Sequence, residues 1–335
     1  MTATTAATEV TTSGHGQATD ADPLVAEVVR SGFVESVHRG RVVGIAADGS
    51  VAFTLGDVEA PVFGRSSVKP LQAVGMVRAG LPLVGELLVL ASASHSGEPF
   101  HLDGVRRVLA GAGLDVDALR CPPDFPLDEA ARVSWTRSGH DRERIAMNCS
   151  GKHSAMLATC VAAGWSTDGY LDPAHPLQQR LVATVAELAG GVPVTGVDGC
   201  GAPVFATSLV GLATAGRALV TGGAGPEGLA VAAAFRAHPE WTSGTHRPEA
   251  ALMRAVPGLL VKGGAEGVQL AVLADGRAVT VKVDDGAARA SVPVLVAALR
   301  RLGVEVPADV GPVIGPPVLG GGRPVGDVRV PADVL

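Results

Sequence analysis

The chain is poor in cysteine, in lysine and in long apolar runs, and each shortage excludes something. Four cysteines (Cys121, Cys149, Cys160 and Cys200) in 335 residues are too few for a disulfide scaffold. A cytoplasmic protein with free or metal-bound thiols is the expectation. No uninterrupted apolar stretch is long enough to cross a bilayer, and the first residues lack the charged-then-apolar pattern of a signal peptide. The net charge of −6, with no basic stripe, argues against nucleic-acid binding. The glycine-rich "GGAGPEG" lacks a following Lys-Ser or Lys-Thr, so nucleotide chemistry is not expected either.

Lysine is the scarcest of the common charged residues. Of 27 basic side chains only Lys69, Lys152, Lys262 and Lys282 are lysine. Arginine keeps its proton in a protein, whereas a desolvated lysine can lose it. A position that needs a neutral amine is therefore one that arginine cannot fill. Lys282 alternates in "AVTVKVD" as an ordinary strand residue. The other three stand beside serine, cysteine or glycine.

Residues 1–22 form a Thr/Ala/Gly-rich tail with little to bury and are expected to be disordered. Residues 23–335 suffice for a single catalytic unit with a real core. "RVVGIAADGSVAFTLG" alternates on both sides of Asp48-Gly49 and predicts a β-hairpin over 41–56. "GVQLAVLADGRAVTVKV" repeats the design over 267–283, turning at Asp275-Gly276. Between them lie helical patterns: 68–80, 101–113, 151–164, 175–190, 203–216 and 226–238, with a further helix over 292–303. Strands at both ends with helices inserted predict an α/β fold. Its sheet lobe would come from about 23–65 plus 255–335, and its helical lobe from about 66–254.

Ser66 and Lys69 form S-x-x-K at a predicted helix start, where a neutral amine three residues on can take a hydroxyl proton. Pro70 suits that early turn. Lys262 sits on a short apolar run before Gly263 and Gly264, small residues that would let a substrate lie against the strand edge. Penicillin-recognising enzymes use S-x-x-K, a middle serine, then K-[ST]-G. Here "SASHSGEP" lacks the S-D-N triplet, and Gly263 replaces the hydroxyl residue, which counts against a β-lactam enzyme. "MNCSGKH" and "VDGCGAP" place Cys149, Lys152 and Cys200 where they can hold a soft or borderline metal, Asp198 close by. The alternative is two buried cysteines acting as small hydrophobes, as Cys160 is expected to do. Asn148, the chain's sole asparagine, can orient a ligand or cap a turn; His38 and His95 are acid–base groups or structural hydrogen-bonders.

The blocks "ESVHRG", "GRSSVKPLQA", "ASASHSGEPFH", "MNCSGKHSAML", "VDGCGAPVFA" and "VKGGAEGV" occur in the order seen in the Rhizobium etli-type L-asparaginase II family, which the chain resembles from about residue 30 to the C-terminal tail. The resemblance implies a serine β-lactamase/glutaminase-like fold, a mainly antiparallel sheet flanked by helices. It implies hydrolysis of L-asparagine to L-aspartate and ammonia through an acyl-enzyme, with Ser66–Lys69 and Ser94–Lys262 as two Ser–Lys pairs. It also implies about one zinc per chain on Cys149, Lys152 and Cys200. Arg65, His95, Asn148, Asp198 and Gly263 stand in or beside matching blocks and are expected on the substrate side. A homodimer is expected, with no nucleic-acid or membrane partner. A glutaminase or penicillin-type peptidase on the same scaffold, or a non-catalytic zinc protein, are the competing expectations.

Overall fold

The computed structural model describes residues 22–315 and 317–335. The tail expected to be disordered lies outside these residues, except for Asp22. That residue is buried, its carboxylate 3.3 Å from Arg41 Nε.

Alternating, valine-rich segments build the strands: β1 (Leu24–Arg30), β2 (Phe33–Ile45), β3 (Val51–Leu55), β4 (Val62–Phe63), β5 (Thr195–Val197), β6 (Pro203–Thr207), β7 (Leu260–Gly264), β8 (Val268–Val272), β9 (Ala278–Val283), β10 (Val318–Gly320) and β11 (Arg323–Arg329). An eight-stranded sheet runs β10-β11-β1-β2-β9-β8-β7, with β3 also paired to β2, and every pairing in it is antiparallel. Both Asp-Gly hairpins form as expected: β2 pairs β3 with Val42 opposite Leu55, and β8 pairs β9 with Val268 opposite Lys282. Gly49 and Gly276 take the positive φ that such turns require.

Every residue of β8 is buried, as expected of a strand covered on both faces. The helices Leu209–Thr221 and Ala288–Arg301 both pack on β2, β8 and β9. A Cβ on Gly216 would meet Leu270 Cδ1 and Val272 Cγ2 at 2.8 Å each, so the bare glycine lets the first helix press onto the sheet. That helix starts at Ser208, whose side chain accepts from Gly211 N, and ends at Gly222 in the left-handed conformation. The helices Lys69–Arg78, Pro99–Gly111, Ser150–Ala162, Pro176–Ala189 and Gly225–Ala237 complete the helical layer, close to the patterns that predict them. Among the described residues no single helix is long and apolar enough to cross a membrane.

One segment departs from expectation. The pattern over 203–216 predicts a helix throughout, yet Pro203–Thr207 is β6, the centre of a three-stranded sheet in the order β4-β6-β5. A five-residue buried apolar run has no period that separates strand from helix. The pairing of β6 with β4 and β5 decides it, and Ser208 then caps the helix that follows. Two strands of the chain therefore lie inside the stretch expected to be helical.

Candidate active site

The stretch "GRSSVKP" folds as a single 3-10 turn, Arg65–Val68, running directly into the helix Lys69–Arg78 with Pro70 near its start. Arg65 has φ +49°, in the left-handed region that costs a side-chain-bearing residue of order 1–3 kcal/mol. Its surroundings hold it there. Gly64 N donates to Phe205 O (3.2 Å), Ser67 N and Oγ both donate to Gly64 O (3.0 and 2.5 Å), and Arg65 Nε donates to Asp198 Oδ1 (2.9 Å). The consequence is a divided turn. Ser67 and Lys69 are buried, whereas Ser66 is partly exposed and lines a cleft of about 340 Å³.

Four chain segments meet beneath that cleft. The Lys69 amine donates to Ala93 O (2.6 Å), Ser94 Oγ (3.0 Å) and Cys149 Sγ (3.1 Å). Lys262, on β7, places its amine 3.2 Å from the same Ser94 Oγ and donates to Gly263 O (2.8 Å). The loop bearing Ser94 is pinned by Ser94 N to Thr242 O (3.1 Å) and His95 N to Asn148 O (2.9 Å). Complete burial, reinforced by the neighbouring charge of Lys69, pushes the Lys262 amine down to about 7. A lysine near neutrality at physiological pH can accept a proton from a hydroxyl, and Ser94 is in place to supply one.

The pairing differs from the one the sequence suggests. Ser94 and Lys262 do meet, but Lys69 also bonds Ser94, and among the described residues the Ser66 hydroxyl has no hydrogen-bond partner. Lys69 N donates to Ser66 O across the 3-10 turn, so the backbones are adjacent, but the Lys69 amine is committed to Ala93 O, Ser94 Oγ and Cys149 Sγ. The Lys69 side chain sinks into the core while that of Ser66 faces the cleft.

The glycines after Lys262 both line the cleft and also make room for neighbouring groups of the protein. A Cβ on Gly264 would lie 2.8 Å from Gly64 O and 3.2 Å from Ser67 N, so the bare strand edge accepts the Ser66 turn itself. A Cβ on Gly263 would lie 2.5 Å from Glu249 Oε1 and 3.1 Å from Gln269 Oε1. Asn148 lines the cleft as well.

The other expected substrate-side residues stand elsewhere. His95 is fully buried and outside the cleft lining; its Nε2 donates to Ser150 Oγ (2.9 Å), whose own proton goes to Ile145 O (2.7 Å). Burial and the nearby His101 and Lys69 hold it well below the usual histidine range, hence neutral. Arg65 and Asp198 pair with each other, and Arg65 lines a separate cavity with Phe63, Glu266 and Lys282. His38 is structural: its Nδ1 donates to Asp285 Oδ2 (2.7 Å) and its Nε2 accepts from Arg289 Nε (3.0 Å).

Next to the lysine–serine cluster lie the residues expected to hold a metal. Cys149 precedes the helix Ser150–Ala162, Lys152 is in its first turn rather than in a loop, and Cys200 is in the turn between β5 and β6. The Lys152 amine donates to Cys200 Sγ (3.2 Å), and Cys149 Sγ donates to Asn148 Oδ1 (3.5 Å). The interaction of the two cysteines pushes Cys149 up, with burial adding to the rise, and Cys200 down, with the Lys152 charge adding to the fall. Burial works to lower the Lys152 pKa, but the Cys200 and Cys149 charges outweigh it and raise it. His153 stands beside Cys200 with Nε2 buried and unpartnered, while its Nδ1 meets the buried Tyr170 hydroxyl at 2.7 Å. Two thiols and an amine converging in a buried site fit a soft or borderline metal such as zinc. Among the described residues no group of three His, Cys, Asp or Glu converges on a metal position, and a metal held here would take Lys152 beside the two cysteines. Cys160 is buried in the core, as expected.

The cleft also holds residues absent from the sequence expectations: Arg247, Glu249, Gln269 and Ser291. Gln269 had a legible signal, being the only polar residue of the apolar strand "VQLAV". Glu249, in the first turn of the helix Pro248–Ala255, has the sequence look of an ordinary dipole-favoured acid.

A family model described as L-asparaginase II matches residues 26–330. Among solved structures, the chain is similar to Mglu in its native form at 16% identity, over 78% of this chain and 64% of that one, with a TM-score of 0.43. It therefore spans just under two thirds of the Mglu chain. It is similar to a β-lactamase from Desulfarculus baarsii at 18% identity, over 80% and 93% of the two chains, TM-score 0.37. A Bacillus glutaminase shares 11% identity over 79% and 91%, TM-score 0.40. No curated protein matches the chain.

Proposed function

The chain belongs to the L-asparaginase II family, and from that premise we propose that it hydrolyses L-asparagine to L-aspartate and ammonia by serine–lysine catalysis. The observation that carries the proposal is the position of Ser94 Oγ, within hydrogen-bond reach of two buried amines at the floor of a cleft that Ser66 also lines.

The two serines divide the work. Ser66 has an uncommitted, partly exposed hydroxyl at a helix start, and it attacks the side-chain amide carbon. Ser94, committed to Lys69 and Lys262, passes the Ser66 proton to the Lys262 amine, which then delivers it to the departing ammonia. Water attacks the resulting acyl-enzyme, giving its proton back along the same path, and L-aspartate leaves. Lys69, bonded to both Ser94 and Cys149, holds Ser94 in line and supplies positive charge beneath the tetrahedral intermediate. Zinc on Cys149, Lys152 and Cys200 would neutralise the thiolates and tie the start of the helix Ser150–Ala162 to the β5–β6 turn.

Ammonia release from L-asparagine and from L-glutamine by the purified protein tests the proposal. A higher kcat/KM for L-asparagine supports it, a preference for L-glutamine reassigns the enzyme as a glutaminase, and release from neither overturns it.

A further inference from the structure

Glu249 is the only carboxylate, among the described residues, that lines the cleft, and the mechanism above does not use it. It is 6% exposed, and its Oε2 has no hydrogen-bond partner. The nearest cation, Arg247, leaves Nε 3.8 Å from that oxygen on a side chain that is half exposed. Gln269 is equally buried. Its amide nitrogen donates to Ser291 Oγ (3.1 Å), which leaves Oε1 without a partner. The two side chains converge over Gly263, on the strand that carries Lys262: Glu249 Oε1 and Gln269 Oε1 lie 2.5 and 3.1 Å from the place a Cβ would occupy, with the unpartnered Glu249 Oε2 on the same carboxylate. A buried carboxylate oxygen and a buried amide oxygen left unsatisfied are costly unless a donor arrives to meet them. A group that satisfies both must donate several hydrogen bonds and carry positive charge.

We propose that Glu249 and Gln269 form the pocket for the α-ammonium group of the substrate, so that the site selects free α-amino acid amides over desamino or N-blocked analogues. This rests on, and deepens, the amidohydrolase proposal. The acceptors line the same cleft as Ser66 and Ser94, so seating the ammonium there fixes how the side-chain amide is presented to Ser66. Only a substrate that fills this pocket relieves its unpaired oxygens, and an analogue lacking the amine leaves them buried and unmet.

The test measures binding and turnover separately. Calorimetry on the intact protein compares L-aspartate with succinate, which lacks the amine. L-Aspartate should bind about ten- to a hundredfold tighter, the range expected for hydrogen bonds to a charged group. In the isosteric Glu249→Gln the preference should shrink to within about threefold, and Gln269→Met, a second route should the first fold poorly, should lose part of it. In parallel, kcat/KM for L-asparagine against succinamate should show the same collapse of discrimination, carried mainly by KM. A preference retained in both variants overturns the proposal, as does wild-type protein that binds the two acids equally. If Glu249 served only as counter-charge to Lys262, Glu249→Gln would weaken asparagine and succinamate turnover alike and the preference would survive. Protein that prefers L-aspartate yet releases no ammonia from L-asparagine keeps the pocket and loses the asparaginase assignment; turnover without the preference does the reverse.

Discussion

The amine of Lys262 lies 3.2 Å from the hydroxyl of Ser94, a residue 168 positions earlier in the chain. β7 delivers the lysine and a loop pinned to Thr242 and Asn148 delivers the serine, so neither helical spacing nor local sequence brings them together. With the amine pushed down to about 7 by burial, this contact pairs a hydroxyl with a base rather than with a fixed cation.

Lys262→Arg and Lys262→Met should each lower kcat/KM by at least about a hundredfold, because a guanidinium keeps its proton and a thioether cannot take one. In the wild type, kcat/KM should climb as pH rises through about 7, where the free enzyme's base loses its proton. Steady-state kinetics from pH 5.5 to 9 measure this, and a flat profile removes Lys262 as the base.

The same amine makes a stability prediction of opposite sense. Folded Lys262 is neutral above about 7, whereas in the unfolded chain lysine stays protonated up to its ordinary value of 10.5. Between those values the unfolded chain binds more protons, so this residue's contribution to stability improves as pH rises, and its burial cost is felt in full below 7. Lys262→Met should therefore raise Tm by roughly 4 °C or more at pH 6, with the gain fading towards pH 10. Calorimetric melting at the two pH values checks it; an unchanged or lowered Tm at pH 6 contradicts it.

Ser66→Ala and Ser94→Ala should each cut kcat by at least about a hundredfold, yet differ in what they trap. With a slow ester substrate, intact-mass spectrometry should find an acyl adduct in Ser94→Ala and none in Ser66→Ala. The reverse pattern makes Ser94 the nucleophile and Ser66 its helper.

Purified protein should carry about one zinc per chain by elemental analysis, and Cys149→Ser/Cys200→Ser should carry almost none while retaining its helical circular dichroism. Full zinc in the double variant would place the metal elsewhere.

Gly264→Ala should cost activity more than stability. Its methyl would press on Gly64 O and Ser67 N and displace the turn that presents Ser66. A loss of tenfold or more in kcat with a Tm shift of only a few degrees is expected; wild-type kinetics would show that the turn tolerates the push.

The hairpins were legible because an Asp-Gly turn between alternating apolar runs admits little else, and the long helices because their periods run over three or more turns. β6 was not, since five buried residues carry no period and its strand character comes from partners some 140 residues before it and a few residues before it. Lys69, Ser94 and Lys262 stood out as candidates through their residue types alone. Which amine meets which hydroxyl depends on where the helix starts and how the Ser94 loop is pinned, and both are settled by tertiary contacts. Glu249 was hidden for a similar reason: an acid in a first helical turn is commonplace until burial leaves its oxygen without a partner.

Lys69, Lys152 and Lys262 are each at most 2% exposed, and Lys282 is half-buried with its amine bonded to Glu266 O and Val283 O. The molecule therefore presents no freely projecting lysine. Reagents that acylate surface amines, from activated-ester dyes and polymers to aldehyde supports, find almost no side-chain handle on it. Attachment or labelling has to proceed through carboxylates or an introduced thiol, and amine acylation that does abolish turnover will report that the interior has opened.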